Sequence, residues 1–174
     1  SNRLKKLIED LIEASKASTG NLAVHLEKLE AGVSVVQIVG EFEDKLNAAD
    51  LTLLIQKPET PVYVMADGRH FWRVIDNLMN NICKYAQPGT RVYVDLRENG
   101  GQVELIFRNT SRYPLNISSE ELMERFVRGD ESRNTEGSGL GISIAKSLME
   151  LMGGTCNLYV DGDLFKVVLE FKQA

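Results

Sequence analysis

The chain has 174 residues, 43% of them apolar, with 25 acidic and 20 basic side chains and a formal charge of −5. That is enough for a core of ordinary size, and the interspersed charges lack the single-sign footprint of a nucleic-acid or membrane-surface binder. Its two cysteines, Cys83 and Cys156, lie in apolar periodic segments without C-x-x-C spacing, and no apolar run reaches bilayer length, which argues against a disulfide framework, a zinc site or membrane contact and for a reducing cytoplasm.

Ser1-Asn2 reads as a remnant of cloning, so the chain is expected to be a piece of a longer protein. Residues 3–17 put Leu4, Leu7, Ile8, Leu11 and Ile12 on one stripe, a helix in need of a partner surface. Leu22, Val24 and Leu26 alternate with polar or small residues and predict a half-buried strand. Ser34 and Gln37 stand in capping-box register ahead of a helix whose Val35, Ile38, Val39, Phe42 and Leu46 face one way. Short strands are expected at 51–55 and 62–66, between which Pro58 and Pro61 intervene. Asp67 offers an N-cap to a helix over 68–85 with Trp72, Ile75, Leu78, Met79 and Ile82 on its apolar side.

The alternating runs 91–99 and 102–109 meet at Gly100-Gly101, a hairpin signal. Residues 110–138 have little periodicity beyond a short helix near 119–126, opened by Ser118 and Glu121, and so long an irregular stretch reads as a lid or a disordered loop. A helix over about 140–152 stops at Gly153-Gly154, and a last hairpin turns at 161–163. Six or seven strands, mostly in hairpins, with three substantial helices between them predict a two-layer α/β sandwich of the α+β class. Its mixed, mostly antiparallel sheet is covered on one face, and the first helix stands outside it.

Three stretches could carry chemistry. In "NLMNNICKYA" (77–86), Asn77, Asn81, Lys84 and Tyr85 share one side of the helix. An amide oxygen suits a Mg²⁺ ion that also takes phosphate and water, and Lys84 could add a charge for the same phosphates; on spacing alone, asparagines that merely cap or face solvent fit equally well. In "GSGLGISIAK", Gly137, Gly139 and Gly141 precede an amphipathic helix, so free N–H groups and a positive dipole end meet where an anion could sit. The spacing is neither that of a Walker A loop nor that of the dinucleotide fingerprint, and phosphate binding is favoured over a hinge. Asn109 shares the parity of Val103, Leu105 and Phe107, so its amide points toward the apolar layer. There it could complement adenine N6 and N1, or simply open a turn.

Together "NLMNNICKYA", "ERFVRGDESR" and "GSGLGISIAK" resemble, in order and spacing, the N, F and G2 boxes of sensor histidine kinases. Their ATP-binding domain belongs to the GHKL superfamily (the Bergerat fold), shared with gyrase and MutL. The resemblance covers roughly residues 20–172, and residues 3–17 look like the end of a dimerisation and phosphotransfer helix. It implies two units, 1–19 from that helix and 20–174 as the catalytic domain, with an ATP lid at about 110–138. It also implies ATP and Mg²⁺ as cofactors. Asn81 matches the metal-holding asparagine, with Asn77 one turn earlier, Lys84 near the phosphates and Tyr85 against base or ribose. Arg125 and Phe126 match the F-box pair, with Arg128 following as a catalytic lid arginine. Gly137, Gly139, Leu140 and Gly141 match the loop under the triphosphate. The G1 box departs: Asn109-Thr110-Ser111-Arg112-Tyr113 stands where the family has Asp-x-Gly-x-Gly, so Asn109 meets adenine without charge and two glycines are lost. Met123 replaces the first F-box phenylalanine, a volume-tolerant swap.

Neither His25 nor His70 has the acidic neighbour and nearby proline of a phosphoacceptor. The resemblance therefore implies a histidine kinase of two-component signalling whose acceptor lies upstream of Ser1. Its partners would be that dimerisation domain, a second protomer in the full-length protein, which could be membrane-anchored, and a response regulator. Two alternatives remain: a serine kinase of the anti-sigma type, and a nucleotide-binding regulatory domain without turnover.

Overall fold

The computed structural model describes residues 2–128 and 140–174. Helix α1 (Asn2–Ser18) leads to β1 (Glu27–Glu30), α2 (Ala31–Gly40), α3 (Glu43–Ala48), β2 (Leu51–Gln56), β3 (Tyr63–Ala66) and α4 (Gly68–Tyr85). After these come β4 (Thr90–Asn99), β5 (Gln102–Thr110), α5 (Ser119–Arg128), α6 (Gly141–Leu151), β6 (Thr155–Asp161) and β7 (Leu164–Lys172).

Five strands form one sheet in the order β2-β4-β5-β7-β6, and β1 pairs with β3 in a small antiparallel sheet. Within the larger sheet β2 and β4 are parallel and the other pairs antiparallel. A parallel pair needs a crossover, and the chain supplies it through β3 and α4. The β4–β5 hairpin closes on Gly100 (φ 57°) and Gly101 (φ 87°), the two positive φ angles a type I′ turn requires.

Alternation then sorts the strands into two faces. Val92, Val94, Val103, Leu105, Phe107, Val167 and Leu169 are buried on one of them, in a single cluster with Val35 and Val39 of α2, Phe71, Ile75 and Leu78 of α4, and Ile144 and Leu148 of α6. This is the expected two-layer α+β arrangement. Gly154 is where the layers close: a Cβ added there would lie 2.3 Å from Glu170 O and 2.8 Å from Met149 Cε. Gly154→Ala is therefore expected to destabilise the fold by roughly 3 kcal/mol, read as a drop in the denaturant midpoint at unchanged slope.

Five expectations need correction, the first being the single helix expected through Val35 and Leu46, which is two, α2 and α3, broken at Glu41-Phe42. Residues 21–26 form no strand; pairing starts at Glu27, opposite Ala66, while Leu22 and Val24 pack against the core from an irregular segment. Helix α2 starts before Ser34, because Glu30 caps it with Oε1 accepting from Gly32 N at 3.1 Å and Oε2 from Val33 N at 2.7 Å. Trp72 turns outward, and Phe71 takes the core position, 5.3 Å from the Phe171 ring. The first helix does not stand apart: α1 packs on α6 and is tied to α4 by its charged side.

That tie centres on Arg73. Its guanidinium reaches Asp10 Oδ1 at 2.7 Å, Glu13 Oε1 at 2.9 Å and Asp76 Oδ2 at 3.4 Å, and Lys6 Nζ meets Asp10 at 3.1 Å. Burial alone would lower the Arg73 pKa, but these carboxylates outweigh it and raise it. Meanwhile Leu4, Ile8, Leu11 and Ile12, at 50–62% exposure, face away from the domain.

Asp67 fixes the start of α4. Its carboxylate accepts from Arg69 N and His70 N, and from His25 N at 2.8 Å in the segment before β1. Burial alone would raise its pKa; these N–H donors and the nearby His70 ring outweigh it and hold the carboxyl below the usual aspartate range. A depressed folded-state pKa contributes stability above the unfolded pKa and loses it as pH falls through the folded one. Asp67→Asn should accordingly flatten the acid limb of a stability–pH curve, in a window lying below the usual aspartate range.

Candidate active site

The C-terminal half of α4 brings three asparagines into different surroundings. Asn80 Oδ1 accepts from Lys45 Nζ at 2.8 Å, which is a surface bond. Asn77 is only 6% exposed, and its Nδ2 finds no partner among the described residues. Asn81 is half-buried and lines a narrow crevice with Asn109, Leu78, Ile82, Phe107 and Phe165, too tight to hold a water. One turn further, Lys84 Nζ stands 5.2 Å from the centre of the Tyr85 ring.

Across from Asn77 lies the start of α6. Gly141 sits so close that an added Cβ would be 3.6 Å from both Cβ and Oδ1 of Asn77. Leu140 occupies the N-cap position and provides no side-chain cap; Ser143 Oγ instead donates to Leu140 O at 2.9 Å. A helix N-terminus without a side-chain cap presents N–H donors and a positive dipole end. Asn77 Nδ2, without a partner among the described residues, adds another buried donor, so the seam between α4 and α6 is chemically suited to an oxygen-rich anion.

The segment after β5 is held against the end of α4. Gln87 N donates to Thr110 O and Arg112 N to Tyr85 O, each at 2.8 Å, and Ser111 N donates to Asp163 O at 2.7 Å in the β6–β7 turn. Ser111 is buried, and its Oγ accepts from Tyr113 N at 3.2 Å, which leaves the Tyr113 ring exposed. Asn109 is 4% exposed, opposite Phe165 on β7. The parity argument thus placed its amide correctly, facing the helix layer beside Asn81.

The structure therefore brings together Asn77, Asn81, Asn109, Leu140 and Gly141, with Lys84 and Tyr85 at the rim. Arg125 is paired with Glu121, one turn back on α5, at 3.3 Å. The side chains of Phe126 and Arg128, and both Gly137 and Gly139, lie outside the described residues. Sequence reasoning missed the anchoring of Ser111 by Asp163, whose only trace is the hairpin turn at 161–163. Among the described residues no three His, Cys, Asp or Glu side chains converge on a metal position. A Mg²⁺ ion at Asn81 would take most of its ligands from water and phosphate, its usual habit. Neither cysteine competes for this role: burial pushes the Cys83 thiol up and the Cys156 thiol to about 12.

The chain belongs to the family of histidine kinase-, DNA gyrase B- and HSP90-like ATPases, whose sequence profile matches residues 66–173. It is similar to the sensor protein IrlS of Burkholderia pseudomallei, 27% identical over 159 residues, which are 90% of this chain and 33% of that protein. It is also similar to the sensor protein VanS of Enterococcus faecium, 27% identical over 154 residues, covering 87% of this chain and 40% of that one. The chain thus spans about a third of the length of the curated relatives it matches. Among solved structures, the Acinetobacter baumannii histidine kinase AdeS superposes with a TM-score of 0.79 at 21% identity, over 97% of this chain and 78% of that one. Full-length ShkA in complex with AMPPNP gives 0.81 at 19% identity, over 98% and 36%. At these identities the likeness establishes the fold.

Proposed function

We propose that this chain is the ATP-binding part of a sensor histidine kinase, binding Mg-ATP and passing its γ-phosphoryl group to a histidine on a dimerisation domain outside the chain. The observation that carries this reading is the α4–α6 seam, where buried Asn77, whose Nδ2 has no partner among the described residues, lies directly against Gly141 at the start of α6. Asn81 would hold the metal, Asn109 the adenine edge and Tyr85 the base or ribose. Lys84 and the lid arginines Arg125 and Arg128 would meet the phosphates, with Phe126 seating the lid and Gly137, Gly139, Leu140 and Gly141 beneath the triphosphate. When bound, Mg²⁺ would supply charge neutralisation on the phosphates. The chain's own contribution is positioning and fixed donors.

The exposed stripe of α1 fits the rest of a dimerisation hairpin. On this reading residues 1–19 belong to that hairpin and 20–174 to the catalytic domain, with the lid at about 110–138. A second protomer and a response regulator would be the partners of the parent protein, and the site would work in the cytoplasm. No described helix is long and apolar enough to cross a membrane.

A second reading, nucleotide binding without turnover, is favoured by one feature. Ser111, at a position where the family has glycine, is buried and its Oγ accepts from Tyr113 N at 3.2 Å, a bond that glycine could not make and that holds the segment after Asn109. Calorimetry with a non-hydrolysable ATP analogue, with and without Mg²⁺, tests the common part; Mg²⁺-strengthened binding is expected, and no binding in either buffer would sink both readings. Phosphorylation of a supplied histidine-bearing dimerisation segment then separates them. Transfer to a serine-bearing partner alone would point to the anti-sigma type of kinase.

A further inference from the structure

Asn109 is fixed at its backbone and free at its amide. It pairs with Phe165 in the β5–β7 ladder, and the next residue, Thr110, accepts from Gln87 N at 2.8 Å, so the end of β5 is tied on two sides. The side chain is only 4% exposed, yet its amide makes no hydrogen bond to any described residue. Unlike Asn77 Nδ2, neither of its polar atoms is sealed off, so both open onto the crevice beside Asn81.

The surroundings select no orientation for that amide. Leu78, Ile82, Phe107 and Phe165 are apolar, and the one other polar group of the crevice is Asn81, an amide that itself donates or accepts. Among the described residues no charged side chain lines the crevice, and it has no room for a water that could pin one end of the amide. Exchanging Oδ1 with Nδ2 takes only a rotation about a broad, two-fold torsion.

This freedom decides which bases can be read here. Adenine presents an N6–H donor beside the N1 acceptor, whereas a 6-oxopurine presents an O6 acceptor beside an N1–H donor. A carboxylate only accepts, so it matches N6–H and is opposed by the lone pairs of O6. An amide matches both edges: Oδ1 takes N6–H while Nδ2 donates to N1, or Nδ2 donates to O6 while Oδ1 takes N1–H. Strong rejection of a wrong base requires a buried group left unpaired, and an amide that can turn leaves none.

We propose, resting on the nucleotide-binding reading above, that Asn109 makes this a purine site rather than an adenine site, one that takes 6-oxopurine nucleotides about as readily as adenine nucleotides. The phosphoryl donor then includes 6-oxopurine triphosphates. Inosine is the clean probe of the O6 and N1–H edge, because it lacks the 2-amino group of guanosine.

Calorimetric titration of the full chain with Mg-ADP and with Mg-IDP, diphosphates without a γ-phosphoryl group to transfer, tests the proposal. The two affinities should agree within about tenfold. In Asn109→Asp at about pH 8, where the carboxyl is ionised, Mg-IDP should weaken about tenfold or more relative to Mg-ADP, the scale of a buried acceptor left unpaired. Unchanged thermal unfolding shows that this variant keeps the fold, and the parent ratio needs no variant at all. A parent chain that prefers Mg-ADP by more than that margin overturns the proposal and leaves the kinase reading standing. The same ADP-to-IDP ratio in the parent and in folded Asn109→Asp also overturns it. Binding of neither nucleotide by the parent chain overturns it together with the nucleotide-binding reading beneath it.

Discussion

Asn81→Ala is expected to lower Mg²⁺-dependent phosphotransfer by about 100-fold or more, the scale seen when one preorganised electrostatic group is removed. The loss should be larger in Mg²⁺ than in EDTA when read as binding of an ATP analogue, because on the proposed assignment the amide oxygen would act through the metal. Two neighbours provide the contrast. Asn80→Ala removes only an exposed bond to Lys45, so both binding and stability should move by less than about 1 kcal/mol. Asn77→Ala removes a buried amide whose Nδ2 has no partner among the described residues, and an unsatisfied buried donor costs about 1–3 kcal/mol. The nucleotide-free variant should therefore melt no lower than the parent while binding the analogue more weakly. Equal effects at all three positions would contradict the assignment of the seam.

Arg73→Ala should have the largest effect on structure. It takes the guanidinium away from Asp10, buried at 3% exposure on α1, and leaves Lys6 Nζ, 3.1 Å away, as the cation beside it. Breaking a buried pair from one side costs about 3–5 kcal/mol, and the remaining lysine puts Arg73→Ala at the low end of that range. The expected readout is loss of amide protection throughout α1, with little change in the sheet. Asp10→Asn in the Arg73→Ala background should recover much of that protection, because the buried charge is then gone. Persistence of α1 protection in Arg73→Ala alone would mean that packing on α6 holds the helix without the ion pairs.

Much of the fold was legible because local chemistry and tertiary structure agree. Asp67 caps α4 where expected, Gly100-Gly101 turns the hairpin, and Asn109 follows the parity of β5 into the helix layer. What could not be read depends on distant partners. The alternation at Leu22, Val24 and Leu26 is real, but β3 begins at Tyr63 and its register selects residues 27–30. Glutamate is not a favoured N-cap; Glu30 serves because its Oε1 also lies 3.3 Å from Val62 N. Phe71 and Trp72 are equally apolar neighbours on a helix, and only the position of Phe171 decides which is buried. Residue types singled out Asn77, Asn81 and Gly141 as candidates, but that Asn77 Nδ2 would find no partner among the described residues is a property of packing.

The orientation of α1 carries a consequence for its own secondary structure. A helix of 17 residues is near the length at which isolated helices are marginal in water, so α1 persists as a helix only against a surface. That surface is made by α6, on which it packs, and by Arg73, whose ion pairs are largely buried and so little screened by salt. Removing the guanidinium should therefore unwind α1 rather than release it as an intact helix, and Arg73→Ala should gain coil content, whereas added salt alone should change it little.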